Sequence, residues 1–146
     1  MAKNKYNYNA YGFEDFFKQM EKTQNNIVGV AKEMCEVPAY TITKELKKQM
    51  ENHEVTGDTA KAIIDPTGKA EFTGTKVISR FGFDLNKPNN AIIFLEKGSP
   101  GRKPIKIIGK SIRLHYKTCI KQQQAVAQYW FDKPYDPNYW KENRRE

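Results

Sequence analysis

Apolar side chains recur every three to four residues near both ends of the chain, and this periodicity constrains the fold more than any other feature. Such spacing places side chains on one face of an amphipathic helix. It predicts a short helix over residues 11–20, a longer helical stretch over residues 27–50 and a C-terminal helix that begins at Ile105. Pro38 lies in the second stretch, so we expect either one helix kinked there or two helices that meet there. The apolar face predicted for the C-terminal helix comprises Ile105, Ile108, Ile112, Tyr116, Cys119, Val126 and Trp130.

One part of that C-terminal stretch also fits a strand. Ile112, Leu114 and Tyr116 alternate with polar residues, so a strand is the alternative for residues 111–117. Residues 121–128 are rich in strong helix formers and continue the same face, so we favour the helix. Beyond it, two prolines and several aromatic residues predict an extended arm from Phe131.

The middle of the chain has a different pattern, which predicts strands. Turn-forming residues open a short helix through Ala62 and Ile63. Residues 70–72 and 77–84 alternate as half-buried strands do, which predicts an antiparallel hairpin with its turn at residues 73–76. Residues 91–95 are short, apolar and bounded by turn residues, so we expect a buried strand. The predicted fold class is α+β, with N-terminal helices, a small antiparallel sheet, a long C-terminal amphipathic helix and an extended arm.

Length and composition indicate a single domain. The chain has 146 residues, of which 38% are hydrophobic, and we expect a core over about residues 11–130 with flexible ends at residues 1–9 and 131–146. No apolar run approaches the ~20 residues that cross a bilayer, and the N-terminus lacks a secretion-signal pattern. We expect no membrane segment. Cys35 and Cys119 are far apart, which predicts reduced, partly buried thiols rather than a disulfide framework.

Groups that perform catalysis are scarce. His53 and His115 are the only histidines, and neither occurs at a metal-ligand spacing. Both cysteines fall within apolar helical patterns, where a buried thiol is the usual outcome. The glycine-rich stretch at residues 98–101 has no lysine and serine at the spacing that a phosphate-binding loop requires. We therefore predict a non-enzymatic protein with no catalytic residue, no metal site and no cofactor.

The distribution of charge is the most informative functional signal. The formal net charge is +8, and residues 97–131 contain eight basic residues and no acidic one. On a helix, five of the cations fall within one narrow sector beside the apolar face. A row of this kind can bind along a phosphate backbone without reading bases. The alternative interpretation is that the five cations form an ordinary solvent-exposed helix face with no binding role. No carboxylate lies four residues before or after any of these cations within the row. Their mutual repulsion would then be unrelieved, which argues against an ordinary solvent-exposed face. The five cations are Lys106, Lys110, Arg113, Lys117 and Lys121.

Three short patterns in the chain carry a family resemblance. A helical run over residues 45–54 leads into a turn with a short apolar segment, a strand pair ends in a glycine and an aromatic residue, and an apolar run ends in a glutamate before a proline-containing loop. Over residues 27–126 their order resembles the small head-to-tail joining and tail-completion (neck) proteins of long-tailed bacteriophages. Ser99 stands where this family more commonly has threonine. The residues that carry the likeness are Thr56, Gly57, Asp58, Gly82, Phe83 and Glu96.

The resemblance implies a virion structural protein. Members of this family form homo-oligomeric rings, often hexameric, between the phage connector or adaptor and the tail-tube or tail-terminator proteins, and DNA passes through the ring. It implies virion localisation, assembly in the host cytoplasm and transient DNA contact with the cationic row. Closed rings need two different patches per subunit, for which the arm at residues 131–146 is one candidate. The other is an assembly loop formed by Lys97, Gly98, Ser99, Pro100, Gly101 and Arg102.

Two rival hypotheses assign the chain to other functional classes, namely nucleic-acid-binding proteins and hydrolases. A sequence-independent nucleic-acid-binding protein would use the cationic row as its whole function. A small nuclease or other hydrolase would need Asp58, Asp65 and Glu71 to converge on a metal ion.

Overall fold

The computed structural model describes residues 13–53, 58–87, 91–131 and 133–139. It is rich in helix, with a small two-stranded antiparallel sheet in the middle of the chain and a long helix near the C-terminus, which confirms the predicted α+β layout. Across the described residues, no helix is both long and apolar enough to cross a membrane. In chain order the elements are α1 (Phe13–Glu51), α2 (Asp58–Lys61), β1 (Glu71–Phe72), β2 (Val77–Ile78), α3 (Ala91–Lys97) and α4 (Ile107–Phe131).

The fold is organised around an antiparallel pair formed by α1 and α4. Thr41 meets Gln122, and further along α1 Glu45 meets His115, so contacts that advance along α1 move back along α4. The hydrophobic core lies where α1 and α4 pack against the segment of the chain between them. Burial of these apolar side chains is the main source of stability. Its buried members are Ile42, Leu46, Met50, Ala62, Phe83, Ile92 and Ile107.

The two helices predicted at residues 11–20 and 27–50 are one continuous helix. Residues 21–26 between them are polar, yet they stay helical, and α1 runs 39 residues without interruption. Pro38 lies inside α1, so the prediction of two helices meeting there is wrong. Proline removes one backbone donor, but packing against α4 stabilises both sides of it, and the Cys119 thiol lies 3.9 Å from the Pro38 carbonyl.

The predicted hairpin is confirmed in the middle of the chain. Glu71 pairs with Ile78 and Phe72 with Val77, and the Thr73 amide donates to the Lys76 carbonyl at 3.0 Å. The second strand is shorter than predicted, because the chain leaves the ladder after Ile78. The turn before β1 is held by α1, where the Glu36 carboxylate accepts hydrogen bonds from the amides of Gly68 and Ala70.

Residues 91–95 were predicted to be a buried strand, and this prediction is wrong. They belong to helix α3, in which Ile92 is buried and Leu95 packs against the core while Phe94 is 60% exposed. A five-residue apolar run fits a strand or a helix equally well by periodicity. The helix is favoured here because three-residue spacing directs Ile92 and Leu95 toward the same core.

The long C-terminal helix is confirmed, and the strand alternative for residues 111–117 is wrong. The face that α4 buries nevertheless differs from the predicted one. Ile112 and Tyr116 are 37% and 62% exposed, whereas Ser111 is fully buried. A serine is tolerated there because its hydroxyl donates to the Ile107 carbonyl at 2.9 Å and needs no other partner.

The first part of the C-terminal arm folds back on the helix pair. Residues 133–138 are irregular, but the Tyr139 ring stacks on Tyr129 at 4.6 Å, and Tyr135 lies edge-on to Trp130 at 5.1 Å. Tyr135 also packs against Gly29 of α1. Residues 133–139 of the predicted extended arm therefore pack against α1 and α4. The predicted flexible end at residues 1–9 lies outside the described residues.

Candidate functional site

The start of α4 is fixed by contacts with the end of α3. The Glu96 carboxylate accepts a hydrogen bond from the Ile108 amide at 2.6 Å, which caps the helix and places a negative charge at its positive end. Lys106, just before α4, has a φ of 55° and accepts from the Lys110 amide through its carbonyl at 2.9 Å. These contacts set the rotation of α4 about its axis and therefore decide which side chains face outward.

The five predicted cations lie together on the outer side of α4. All of them are exposed, and within the described part of the chain none forms an ion pair. At 3.6 residues per turn the four cations within α4 span roughly 80° of the helix circumference, and Lys106 directly precedes the helix. We call Lys106, Lys110, Arg113, Lys117 and Lys121 the cationic row.

An exposed apolar row runs along one side of the cationic row. Ile112, Tyr116 and Ile120 are four residues apart and are 37%, 62% and 39% exposed. Arg113 and Lys117 are the cations nearest to these side chains around the helix, whereas Lys110 and Lys121 lie farther away. Contiguous exposed apolar side chains rimmed by charge are typical of macromolecular contact sites. We call the two rows together the α4 surface.

Polar contacts on the inner side hold α4 against α1. The Glu45 carboxylate lies 3.1 Å from His115 Nε2 and accepts from Gln49 at 2.8 Å, and these two hydrogen bonds, Gln49 first, lower the pKa of Glu45. One turn away, the Gln122 amide donates to the Thr41 hydroxyl at 2.8 Å. These pairs keep the α4 surface turned away from α1.

The predicted assembly loop is a tight, hydrogen-bonded turn. Ser99 and Arg102 exchange backbone hydrogen bonds of 3.2 and 2.8 Å around Pro100 and Gly101. Proline followed by a glycine at φ 83° is the signature of a type II turn. Gly98 is also required, since a Cβ there would lie 2.9 Å from the Arg102 carbonyl oxygen. Lys97 and residues 100–102 are exposed.

The residues that carry the family resemblance have local structural roles where they are described. Gly82 has a φ of 120° and accepts from the Ile64 amide through its carbonyl, which brings buried Phe83 opposite Ile63. Glu96 caps α4. Asp58 is the first residue of α2, and Thr56 and Gly57 lie outside the described residues.

The side chains of the hydrolase hypothesis are engaged locally where they are described. Asp65 accepts from the Thr67 amide at 3.0 Å, which lowers its pKa, and Glu71 pairs with Arg80 at 3.0 Å on the surface. Over the described ranges, no group of three or more His, Cys, Asp or Glu side chains is arranged to hold a metal ion.

Both cysteines are free and partly buried, as predicted. Burial raises the pKa of each thiol, and the nearby Glu36 carboxylate raises that of Cys35 further. The Cys35 thiol points to the Val77 carbonyl at 4.0 Å. A raised pKa keeps a thiol protonated, which disfavours nucleophilic activation.

Sequence reasoning missed two features of the molecule. The first is the apolar row, because Ile112 and Tyr116 were assigned to the buried face of the C-terminal helix and Ile120 was not singled out. The second is a buried carboxylate, Glu33, which accepts a hydrogen bond from the Trp130 indole at 2.5 Å beside the tyrosines of the arm. The density of aromatic residues at positions 129–139 is the sequence signal for this second cluster.

Comparison of the chain with protein-family models, with curated proteins and with solved structures finds no match.

Proposed function

We propose that the chain is a non-enzymatic subunit of a homo-oligomeric ring at the head-to-tail junction of a long-tailed bacteriophage, through which DNA passes. The observation that carries the proposal is the α4 surface, where an exposed apolar row lies beside five exposed cations that form no ion pair with any described residue. An apolar row favours a protein neighbour, and an uncompensated cationic row favours an anionic polymer. A subunit of a DNA-conducting ring needs both.

The cationic row suits weak, sequence-independent contact with DNA. Each phosphate contact contributes about 0.9 to the slope of log K against log salt, so five contacts give a slope near −4.5. At physiological salt such binding is reversible, which a conduit requires because tight binding would retain the genome. Four of the five cations lie on α4 and Lys106 directly precedes it, so the row can position contact along a backbone but provides no base readout.

The first experiment measures solution mass by light scattering across protein concentration at low and moderate salt. We expect a closed ring, formed by the chain alone or on addition of the phage connector or tail-tube protein. A chain that remains monomeric with these partners overturns the proposal.

A matched pair of variants tests the DNA contact. Reversing Lys110 and Lys121 to glutamate should abolish retention on DNA and lower the salt slope by about 2 or more. Reversing Lys47 and Lys76, which are exposed on α1 and in the hairpin turn, changes the net charge equally and should have a smaller effect. Equal effects of the two pairs would mean that net charge, rather than the cationic row, attracts DNA.

A second candidate function is sequence-independent nucleic-acid binding by the monomer, which the exposed cationic row also favours. Strong salt-dependent binding by a chain that ignores connector and tail proteins would support this alternative. Ring formation with weak DNA contact would exclude it.

A further inference from the structure

We propose that the α4 surface binds single-stranded nucleic acid, with one base stacked on the ring of Tyr116 and the adjacent phosphates bound by the cationic row. This inference rests on the DNA contact of the proposed function and names the form of nucleic acid that the site prefers. A nucleotide combines a flat apolar base with a negative charge, so it matches an exposed aromatic ring beside cations.

Tyr116 differs from the other tyrosines that the structure describes. Three of them belong to the aromatic cluster around Trp130, and Tyr40 lies 5.7 Å from the Lys44 ammonium. Tyr116 is 62% exposed, and within the described residues it takes part in no hydrogen bond or ring contact. Its ring is therefore available for stacking by a ligand.

Tyr116 lines an open depression on α4. A long side chain on a helix leans toward the N-terminus, over the residues three and four positions earlier, which here are Arg113 and Ile112. Gly109 lies one turn further back and has no side chain to fill the space. The depression has a volume of about 460 Å³, within the roughly 300–1,000 Å³ of small-molecule sites. The described residues that line it are Gly109, Ile112, Arg113, Leu114, Tyr116 and Lys117.

The chemistry of the depression suits a nucleotide. Ile112 and the Tyr116 ring provide apolar surface for a base, and the Arg113 guanidinium can bind a phosphate or stack on the base. Lys110 and Lys121 extend the positive charge over about 16 Å of the helix axis, which is enough for a few nucleotides. Residues 97–131 include no acidic residue, so no carboxylate on α4 repels the phosphates.

Stacking on Tyr116 would distinguish a single strand from a duplex. Each base in a duplex is covered by its stacked neighbours, so a protein reaches only the backbone and the groove edges. A base of a single strand can lie on an aromatic ring, which strengthens binding by a factor of roughly five or more. Every base has such a face, so the contact tolerates any sequence.

A strand on Tyr116 and a protein neighbour on the apolar row exclude each other, because both cover the same side chains. Strand binding is therefore a property of the subunit whose α4 surface is not yet covered. It is measured on the dilute chain alone, without connector or tail proteins.

The test compares three labelled ligands by fluorescence anisotropy at low salt. These are oligo(dT), oligo(U) and a blunt duplex with the same number of phosphates. Both single strands should bind at least about fivefold more tightly than the duplex, and the tighter of the two identifies DNA or RNA as the source. Tyr116→Leu keeps an apolar side chain but removes the aromatic face, so it should weaken single-strand binding about fivefold or more and leave duplex binding unchanged.

A second pair of variants tests the depression. Gly109→Leu fills it without strain, since a Cβ at Gly109 would meet its nearest atom at 4.0 Å, and should also weaken single-strand binding several-fold. Gly109→Ala adds only a methyl group and should bind strands like the natural chain. Far-UV circular dichroism verifies that each variant is folded.

The outcomes separate this inference from the proposed function. It is overturned if single strands bind no more tightly than the duplex, or if Tyr116→Leu weakens both forms by the same factor. In either case, duplex retention that depends on Lys110 and Lys121 leaves the proposed DNA contact intact, and the solution mass still tests the ring.

Discussion

Gly29 is the position where a single added methyl group tests the packing of the arm on α1. A Cβ atom at Gly29 would lie 2.3 Å from Cε1 and 2.6 Å from Cδ1 of Tyr135, so Gly29→Ala requires the tyrosine ring to move. Alanine in a helix interior is favoured over glycine by about 1 kcal/mol. Displacing Tyr135 forfeits its edge-on contact with Trp130, worth about 0.5–1.5 kcal/mol, together with about 1 kcal/mol of lost burial. We expect net destabilisation of about 1 kcal/mol.

Gly109 provides the matched control. It is also helical, and a Cβ there would meet its nearest atom, Lys106 Cβ, at 4.0 Å, which is ordinary contact. Gly109→Ala should therefore stabilise the chain by about 0.5–1 kcal/mol. Urea unfolding followed by circular dichroism measures both changes. In a Tyr135→Ala background, Gly29→Ala should stabilise by a similar amount, since nothing is left to displace. The reasoning is refuted if Gly29→Ala and Gly109→Ala stabilise the natural chain equally.

Three further predictions concern the start of α4 and its contact with α1. Glu96→Ala leaves the Ile108 amide without its charged acceptor, so it should lower the free energy of unfolding by about 1–2 kcal/mol. Urea titration measures this change, and a loss under ~0.5 kcal/mol would contradict the capping role. Lys106→Gly should stabilise the folded chain by about 0.5 kcal/mol. Lysine in the left-handed conformation costs about 1–2 kcal/mol, and the greater freedom of glycine in the unfolded chain offsets part of that gain. A loss of stability would refute this account. The lowered pKa of Glu45, held down first by Gln49, adds stability that is present above the ordinary glutamate pKa and is lost as pH falls through the lowered value. Glu45→Gln should remove that acid-dependent component from melting curves, and an unchanged pH profile would contradict it.

Much of the fold could be predicted because periodicity over long stretches is unambiguous. The helices around Leu46 and Val126 each extend for several turns, and only a helix buries their apolar side chains on one side. Residues 91–95 were misassigned because five consecutive apolar residues are too few to distinguish the 3.6-residue period of a helix from the 2-residue period of a strand. The proline content of the arm predicts its local conformation but not its docking at Gly29, because that docking depends on contacts between residues about one hundred positions apart.

The cationic row was predictable from the sequence, whereas the apolar row was not. Charge and spacing alone placed Lys110 and Arg113 on one side of α4, and the structure leaves both exposed. Hydrophobicity, however, assigned Ile112 to the core in place of Ser111. The error has a physical basis, because Ser111 satisfies its hydroxyl on the preceding turn and so is buried at little cost. The roles proposed for these rows remain predictions.

The pairing of α1 with α4 also affects how the chain is synthesised. Met50 on α1 and Ile107 on α4 belong to the same core, so α1 is complete long before its main partner exists. At ~5–20 residues per second, the interval between the last residue of α1 and the last residue of α4 is on the order of 4–16 s. Throughout that time the apolar face of α1 has no α4 to cover it. A nascent chain stopped before Ile107 would therefore expose Leu46 and Met50, and we expect such a chain to require chaperone binding to avoid aggregation.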